Sequence, residues 1–323
     1  MNARSERSEL AIDIQGVEKS FDGHVAVKGL SLAVPRGSVY GLLGPNGAGK
    51  TTTIRMILNV IVPDSGTIAV LGQPSGAKGV TDRIGYLPEE RGLYRKMRVR
   101  RVLRFLGELK GMTRRDVDQR IDEWLARLGL TEWDQKKVDE LSRGMQQKVQ
   151  FIGTLLHDPE LVILDEPFSG LDPINAQALN DTVVELRQRG RTVIFSTHLM
   201  DNAERLCDSV CIIAQGAKVL DGLVTEVRSQ HAGRTIALAT ANGMSDAVDQ
   251  VLADRSLVES VNREQRTLEI ELAANARAQA LLQRLVGAGA DITRFEVVQP
   301  SLHKIFLQRV GAVGVAEGMS GHG

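Results

Sequence analysis

The 323 residues exceed what one average domain needs, so one large or two modest domains fit the length and a disulfide miniprotein is excluded. Forty Lys and Arg balance forty Asp and Glu, so bulk charge gives no reason to expect a nucleic-acid partner and any basic patch is local. Hydrophobic residues at 42% and charged residues at 25% describe a chain that folds, and its two cysteines, Cys207 and Cys211, fit neither a disulfide framework nor a zinc knuckle. They read as small, partly buried hydrophobes of a reducing compartment.

Residues 1–10 carry Arg4, Glu6, Arg7 and Glu9 and lack the apolar core of a secretory leader, which predicts a disordered start and a cytoplasmic location. No window of about 18 apolar residues occurs, so a transmembrane helix is not expected and any membrane role is peripheral. From Ala11 to Val34 the text is β-branched and aliphatic around Asp22-Gly23, which predicts a strand-rich opening. Ser38 to Leu43 reads as a buried strand running into Gly44-Pro45-Asn46-Gly47-Ala48-Gly49-Lys50-Thr51. Thr52 to Val60 then repeats apolar residues at helical spacing. Strand, glycine loop and helix are the context that a phosphate loop requires.

Residues 93–145 turn to Arg, Lys, Glu, Leu and Trp with apolar positions such as Ile121, Trp124, Leu125 and Leu128, a helical insertion. Leu161 to Leu164 and Val193 to Phe195 are apolar runs flanking a predicted helix over Pro173 to Gln188. Asp172 before Pro173 is its start signal, an N-cap carboxylate ahead of proline at the first helical position. The pattern is α/β with a mainly parallel sheet. Residues 233–310 predict a second unit. Its strands include Ile236 and Leu238, Leu268 to Leu272, and Ile292 to Val298, with helices at Met244 to Leu252 and Ala276 to Val286. The β-α-β-β-α-β order suits a small ferredoxin-like α+β domain. The Gly-rich residues 311–323 are expected to be disordered.

Gly44, Gly47 and Gly49 let the backbone wrap a phosphate where a Cβ would obstruct it, and the amides of the loop, Pro45, Asn46 and Ala48 included, lead into a helix N-terminus. Lys50 adds a point charge, Thr51 a hydroxyl for Mg2+, and Thr52 continues the first turn. The run Leu161 to Leu164 ends in Asp165 and Glu166, carboxylates delivered where ligands sit in open α/β sheets. Asp165 suits Mg2+, and Glu166 suits the water that attacks a γ-phosphate.

Leu141-Ser142-Arg143-Gly144-Met145-Gln146-Gln147-Lys148, just upstream of that strand, separates the classes of P-loop NTPase. Here the sequence resembles the ATP-binding subunits of ABC transporters, with matching elements in order from Ile12 to Val224 inside a predicted ATPase domain over 11–230. The resemblance implies that Ser142 and Gly144 cap the γ-phosphate of ATP held by an opposite subunit, that Phe21 stacks on adenine, and that His198 contacts the γ-phosphate. It makes Ser169-Gly170-Leu171-Asp172 the loop through which the two sites communicate. It further implies Mg-dependent ATP hydrolysis by two copies, or one copy and a paralogous ATPase subunit, powering a separate polytopic permease, as an exporter, from the cytoplasmic membrane face.

Departures bear on mechanism. Glu89 stands where the family has a glutamine touching Mg2+ and, as a carboxylate, is itself a candidate Mg2+ ligand that adds negative charge beside Asp165 and Glu166; Arg143 replaces the first signature glycine, and Met145 replaces its glutamine beside Gln146 and Gln147. The segment Glu89-Glu90-Arg91-Gly92-Leu93-Tyr94 and the C-terminal extension resemble the branch that serves sodium-extrusion and related ABC-2-type permeases. Arg95, Lys96, Arg98, Arg100, Arg101 and Arg104 crowd a stretch that in the family lies near the permease's coupling helix. They read as docking charges, as charges facing anionic lipid headgroups, or as a solvated helix face. The rival function is a soluble ABC ATPase acting on nucleic acid or ribosomes. Tandem cassettes, long heptads and zinc spacings would mark it, and none is seen in the sequence, so no nucleic acid is expected.

Overall fold

Asp22 and Gly23 both take positive φ, 46° and 82°, the two-residue turn whose twist matches a hairpin. It joins β1 (Leu10–Phe21) to β2 (His24–Pro35) with Phe21 opposite His24. With β4 (Ser65–Val70) and β5 (Gln73–Pro74) these form an antiparallel sheet in the order β2-β1-β4-β5. In this computed structural model residues 9–90, 92–230, 234–241, 246–264, 267–307 and 309 are described. The expected tails over 1–8 and 311–323 lie outside them, as do Arg91, Gly233 and Met244. Within the described part the expected disorder to residue 10 is corrected, because Leu10 already pairs with Pro35.

The apolar runs make a second sheet ordered β10-β9-β3-β8-β7-β6. It comprises β3 (Val39–Leu43), β6 (Ile84–Leu87), β7 (Leu161–Asp165), β8 (Thr192–Thr197), β9 (Ser209–Ala214) and β10 (Ala217–Leu223), parallel throughout except for edge strand β10. Every residue of β3, β7, β8 and β9 is buried. Burial on both faces is why these strands read as unbroken hydrophobic runs.

Helix α1 spans Lys50–Ile57, starting two residues and ending three residues earlier than the sequence predicted. Gly49 at φ 104° starts it and Asn59 at φ 55° ends the chain's helical course. The insertion supplies α2 (Val99–Leu109) and α3 (Arg114–Arg127), followed by α4 (Arg143–Leu155). Gly107 lets α2 and α3 approach, since a Cβ there would sit 2.6 Å from Val117 Cγ2. Arg104 then pairs with Asp118 at 2.7 Å. Helix α5 (Pro173–Gln188) has the predicted bounds, and α6 (Met200–Leu206) follows β8. Both cysteines are free thiols; Cys211 is buried in β9, and burial pushes its thiol up to about 12.

The chain divides into two compact units, Met1–Leu223 and Val224–Gly323. This moves the seam expected at 230–233, because α7 (Val224–Gln230) belongs to the second unit, where Arg228 Nε donates to Pro300 O at 3.3 Å. That unit runs β11 (Thr235–Thr240), α8 (Asp246–Ala253), β12 (Val258–Glu264), β13 (Thr267–Leu272), α9 (Ala278–Gly287), β14 (Ile292–Val298). Its sheet is antiparallel in the order β12-β13-β11-β14, the ferredoxin-like arrangement. Its core is Ile236, Leu238, Ile270 and Leu272 of the sheet against Val248, Leu281 and Leu285 of the helices. No helix among the described residues is long and apolar enough to cross a membrane.

Candidate active site

The parallel strands end at the glycine loop. Gly44 takes φ 152° and a Cβ on it would fall 2.1 Å from Ile213 O; one on Gly49 would fall 2.5 Å from Ala26 O. Both need glycine for space as well as for φ. Pro45, Asn46 and Gly47 form the exposed crest, Ala48 is buried behind it, and Thr52 lies on the first turn of α1. Lys50 is buried at the start of α1, and its Nζ donates to Gly44 O at 2.7 Å and Pro45 O at 3.1 Å. It lies 3.7 Å from Glu166 Oε1.

Register explains the rest. Pairing of β7 with β8 puts Asp165 opposite Ser196, and pairing of β3 with β8 puts Leu43 opposite Thr197. Thr51, Asp165, Glu166 and His198 therefore meet at one edge although they span nearly 150 residues of sequence. Thr51 Oγ1 donates to Asp165 Oδ1 at 3.4 Å, while the buried Asp165 Oδ2 has no hydrogen-bond partner among the described residues. A buried carboxylate oxygen left unpaired beside a hydroxyl is a fit for a hard cation. No cluster of three or more His, Cys, Asp or Glu among the described residues encloses a metal. The Thr51 hydroxyl and the Asp165 carboxylate are oxygen donors of the kind Mg2+ takes, with few protein ligands and the rest of its shell from phosphate and water.

Glu166 is buried and takes φ 47°, a left-handed conformation that costs a non-glycine residue about 1–2 kcal/mol. Its amide is held by Ser196 O at 3.2 Å and Ser196 Oγ at 3.1 Å, and its Oε1 accepts from His198 Nδ1 at 3.0 Å. An ionised carboxylate only accepts, so Nδ1 carries the imidazole proton and Nε2 is left for another partner. The His198 side chain is 45% exposed.

The remaining candidates stand apart from this cluster. Ser142 N-caps α4, its Oγ accepting from Met145 N at 3.3 Å, and is exposed. A Cβ on Gly144 would meet Asn175 Nδ2 at 3.0 Å, so the signature packs on the segment capped by Asp172. Asp172 accepts from Asn175 N at 3.0 Å, and that bond holds its carboxyl below the usual range. Phe21 is exposed at the end of β1 with Lys19 Nζ 5.5 Å from its ring centroid. Glu89 is exposed beyond β6 and makes none of the Asp165 or Thr51 contacts given above; Gln150 of α4 donates to the neighbouring Glu90 O at 3.2 Å.

Comparison with known proteins agrees with this geometry. Residues 27–169 match the family described as ABC transporter, and residues 222–310 match the C-terminal domain of ATP-binding proteins described as DrrA1-3-like. An uncharacterized ABC transporter ATP-binding protein of Bacillus subtilis, YhaQ, is 40% identical over 304 residues, covering 94% of this chain and 99% of its own. The chain belongs to the ABC transporter ATP-binding proteins. Nod factor export ATP-binding protein I of Rhizobium sp. strain N33 is 35% identical over 306 residues, covering 94% and 98% of the two chains. A solved ATP-binding subunit of an ABC transporter superposes with TM-score 0.64 at 30% identity, covering 68% of this chain and 92% of that one. The activity of this ABC ATP-binding subunit is accordingly ATP hydrolysis coupled to transport.

Two residues of the ABC site escaped the sequence reading. Ser196 Oγ hydrogen-bonds Asp165 Oδ1 as well as the Glu166 amide, linking the two carboxylates. Its signal was a hydroxyl closing an apolar run. Gln147, buried in α4, donates to Pro167 O at 3.4 Å and ties the signature helix to the residue after Glu166. In the sequence Gln147 is marked only by its place beside Met145.

Proposed function

We propose that two copies of this subunit enclose two ATP with Mg2+ between the phosphate loop of one copy and the Ser142–Gly144 signature of the other, and that closure drives export through a separate polytopic permease. One observation carries this reading. Lys50, Thr51, Asp165, Glu166 and His198 converge at one edge of the sheet, whereas Ser142 is exposed at a helix N-terminus and Gly144, two residues on, packs against Asn175 of the Asp172 segment. A helix start with free amides is an anion site awaiting its ligand from outside the chain.

Lys50 exchanges two neutral carbonyls for phosphate oxygens, a gain because charge-assisted bonds are the stronger. Thr51 and Asp165 would hold Mg2+, which would supply positive charge against the phosphates of the nucleotide. Glu166 accepts a proton from the attacking water, and His198 holds that carboxylate in place through Nδ1 while presenting Nε2 to the γ-phosphate. Phe21 offers an exposed ring to adenine, and the Asp172 segment relays closure between the two sites. Export rather than uptake is supported by the Nod factor export relative, and a peripheral position at the cytoplasmic membrane face follows from work with a permease.

The test is a gentle-detergent pull-down of the tagged full chain from its native membranes, with and without ATP. Recovery of a stoichiometric polytopic permease is expected. Recovery of ribosomes or nucleic acid alone would leave the ATPase intact and overturn the transport role.

A further inference from the structure

The helical insertion carries a charge pattern that the ATP site does not use. Between residues 92 and 115 nine Lys and Arg stand against one acid, Glu108, in a chain of zero net charge. Part of this charge is structural. Arg100 is committed to Asp118, Asp122 and Asp134, and Arg104 to Asp118, contacts that clasp α2 to α3 and to the turn beyond. Lys96, Arg101, Arg114 and Lys137 are different. All four are exposed, none of their side chains has an acidic partner among the described residues, and all line one open cleft of about 1050 Å³.

Two aromatic rings share the lining, Tyr94 at 54% and Phe105 at 37% exposure, edge to face with centroids 5.7 Å apart. Leu109, 64% exposed, lies further along α2. Cations interleaved with exposed aromatics are the chemistry of the headgroup layer, where an amphipathic ring keeps one side wet and the charges meet phosphate. The four cations come from separate stretches of chain, before α2, on α2, at the start of α3 and after it. A rim of that kind matches a plane of many phosphates better than one carboxylate or one acidic helix.

We propose that this cleft binds the anionic phospholipid headgroups of the membrane surface. The inference rests on the peripheral position proposed above and adds a direct lipid contact to it. The full chain is sedimented with vesicles of phosphatidylcholine and of its equimolar mixture with phosphatidylglycerol. Binding to the anionic vesicles alone, weakening as salt rises, is expected. Each of Lys96→Ala, Arg101→Ala, Arg114→Ala and Lys137→Ala should weaken it about five-fold, the worth of one basic residue at an anionic surface. Arg101→Glu combined with Lys96→Glu and Arg114→Glu should weaken it at least about a hundred-fold on the same scale. Lys78→Ala, the same charge change as each single alanine variant but outside the cleft, should behave as wild type, and the basal ATPase rate of every variant should be unchanged. Equal binding to both vesicle types, or wild-type binding by the single alanine variants, overturns the proposal. So does loss of permease recovery by the variants without any vesicle binding, which would assign the cleft to an acidic permease segment and leave the transport role standing.

Discussion

Ser196 is where the fold ties together Asp165 and Glu166, the two carboxylate residues of the candidate site. It is fully buried, donating to Asp165 Oδ1 and accepting from the Glu166 amide at 3.1 Å. In Ser196→Ala the Glu166 amide keeps the Ser196 carbonyl at 3.2 Å, so the amide is not orphaned. Asp165 fares worse: Oδ1 retains only the 3.4 Å contact with Thr51, and Oδ2 already lacks a partner. Losing one hydrogen bond to a charged, buried group costs about 1.5–3 kcal/mol, or a fall of about 3–12 °C in Tm for a unit of this size. Freed of its tie, Asp165 shifts relative to Glu166, and a misplacement of about 1 Å is worth up to about a hundredfold in rate. The expected result is a lower kcat and a raised Mg2+ requirement, with KM for ATP little changed because the phosphate loop is untouched. Ser196→Thr, which restores the hydroxyl, should recover most of kcat. Steady-state ATPase assays across a Mg2+ titration, alongside thermal unfolding, check this. An alanine variant with wild-type kcat and wild-type Mg2+ dependence refutes the reasoning.

Lys50→Ala should abolish productive use of ATP, whereas Glu166→Gln should retain ATP and accumulate a closed dimer, read by light scattering with and without nucleotide; rapid turnover by the Gln variant would remove Glu166 from its catalytic role. Gly47→Ala meets nothing within 4 Å and should cost only the about 1–2 kcal/mol of a left-handed residue, but Gly49→Ala also meets Ala26 O at 2.5 Å and should cost more in urea unfolding. Cys211, its thiol raised to about 12, holds its proton more tightly when folded than the about 8.5 of an ordinary thiol. Its contribution is complete below about pH 8.5 and falls as pH rises toward 12, so urea unfolding at pH 9.5 should show up to about 1.4 kcal/mol less stability than at pH 7.5. A Cys211→Ala background should lose that part of the pH dependence.

The glycine loop, the Asp-Glu strand end and the signature segment were legible because each is a local device, in which spacing and residue type alone specify the chemistry. The bounds of α5 were legible for the same reason: Asp172 and Pro173 encode its start within two residues. Helix α1 was misjudged by two residues at its start because Gly49, left-handed at φ 104° with Ala26 O where a Cβ would sit, begins the helix ahead of the first apolar repeat. The seam between units was misplaced because α7 is held by Pro300 O, some seventy residues downstream. By itself the sequence determined the family and the class of reaction, and it marked the glycine loop as the candidate for holding phosphate. Only the tertiary structure decided that Ser196 ties Asp165 to Glu166 and that His198 orients Glu166. It also decided which arginines of the insertion are spent on ion pairs. Strand register and helix crossing set those contacts, and both are global properties of the folded chain.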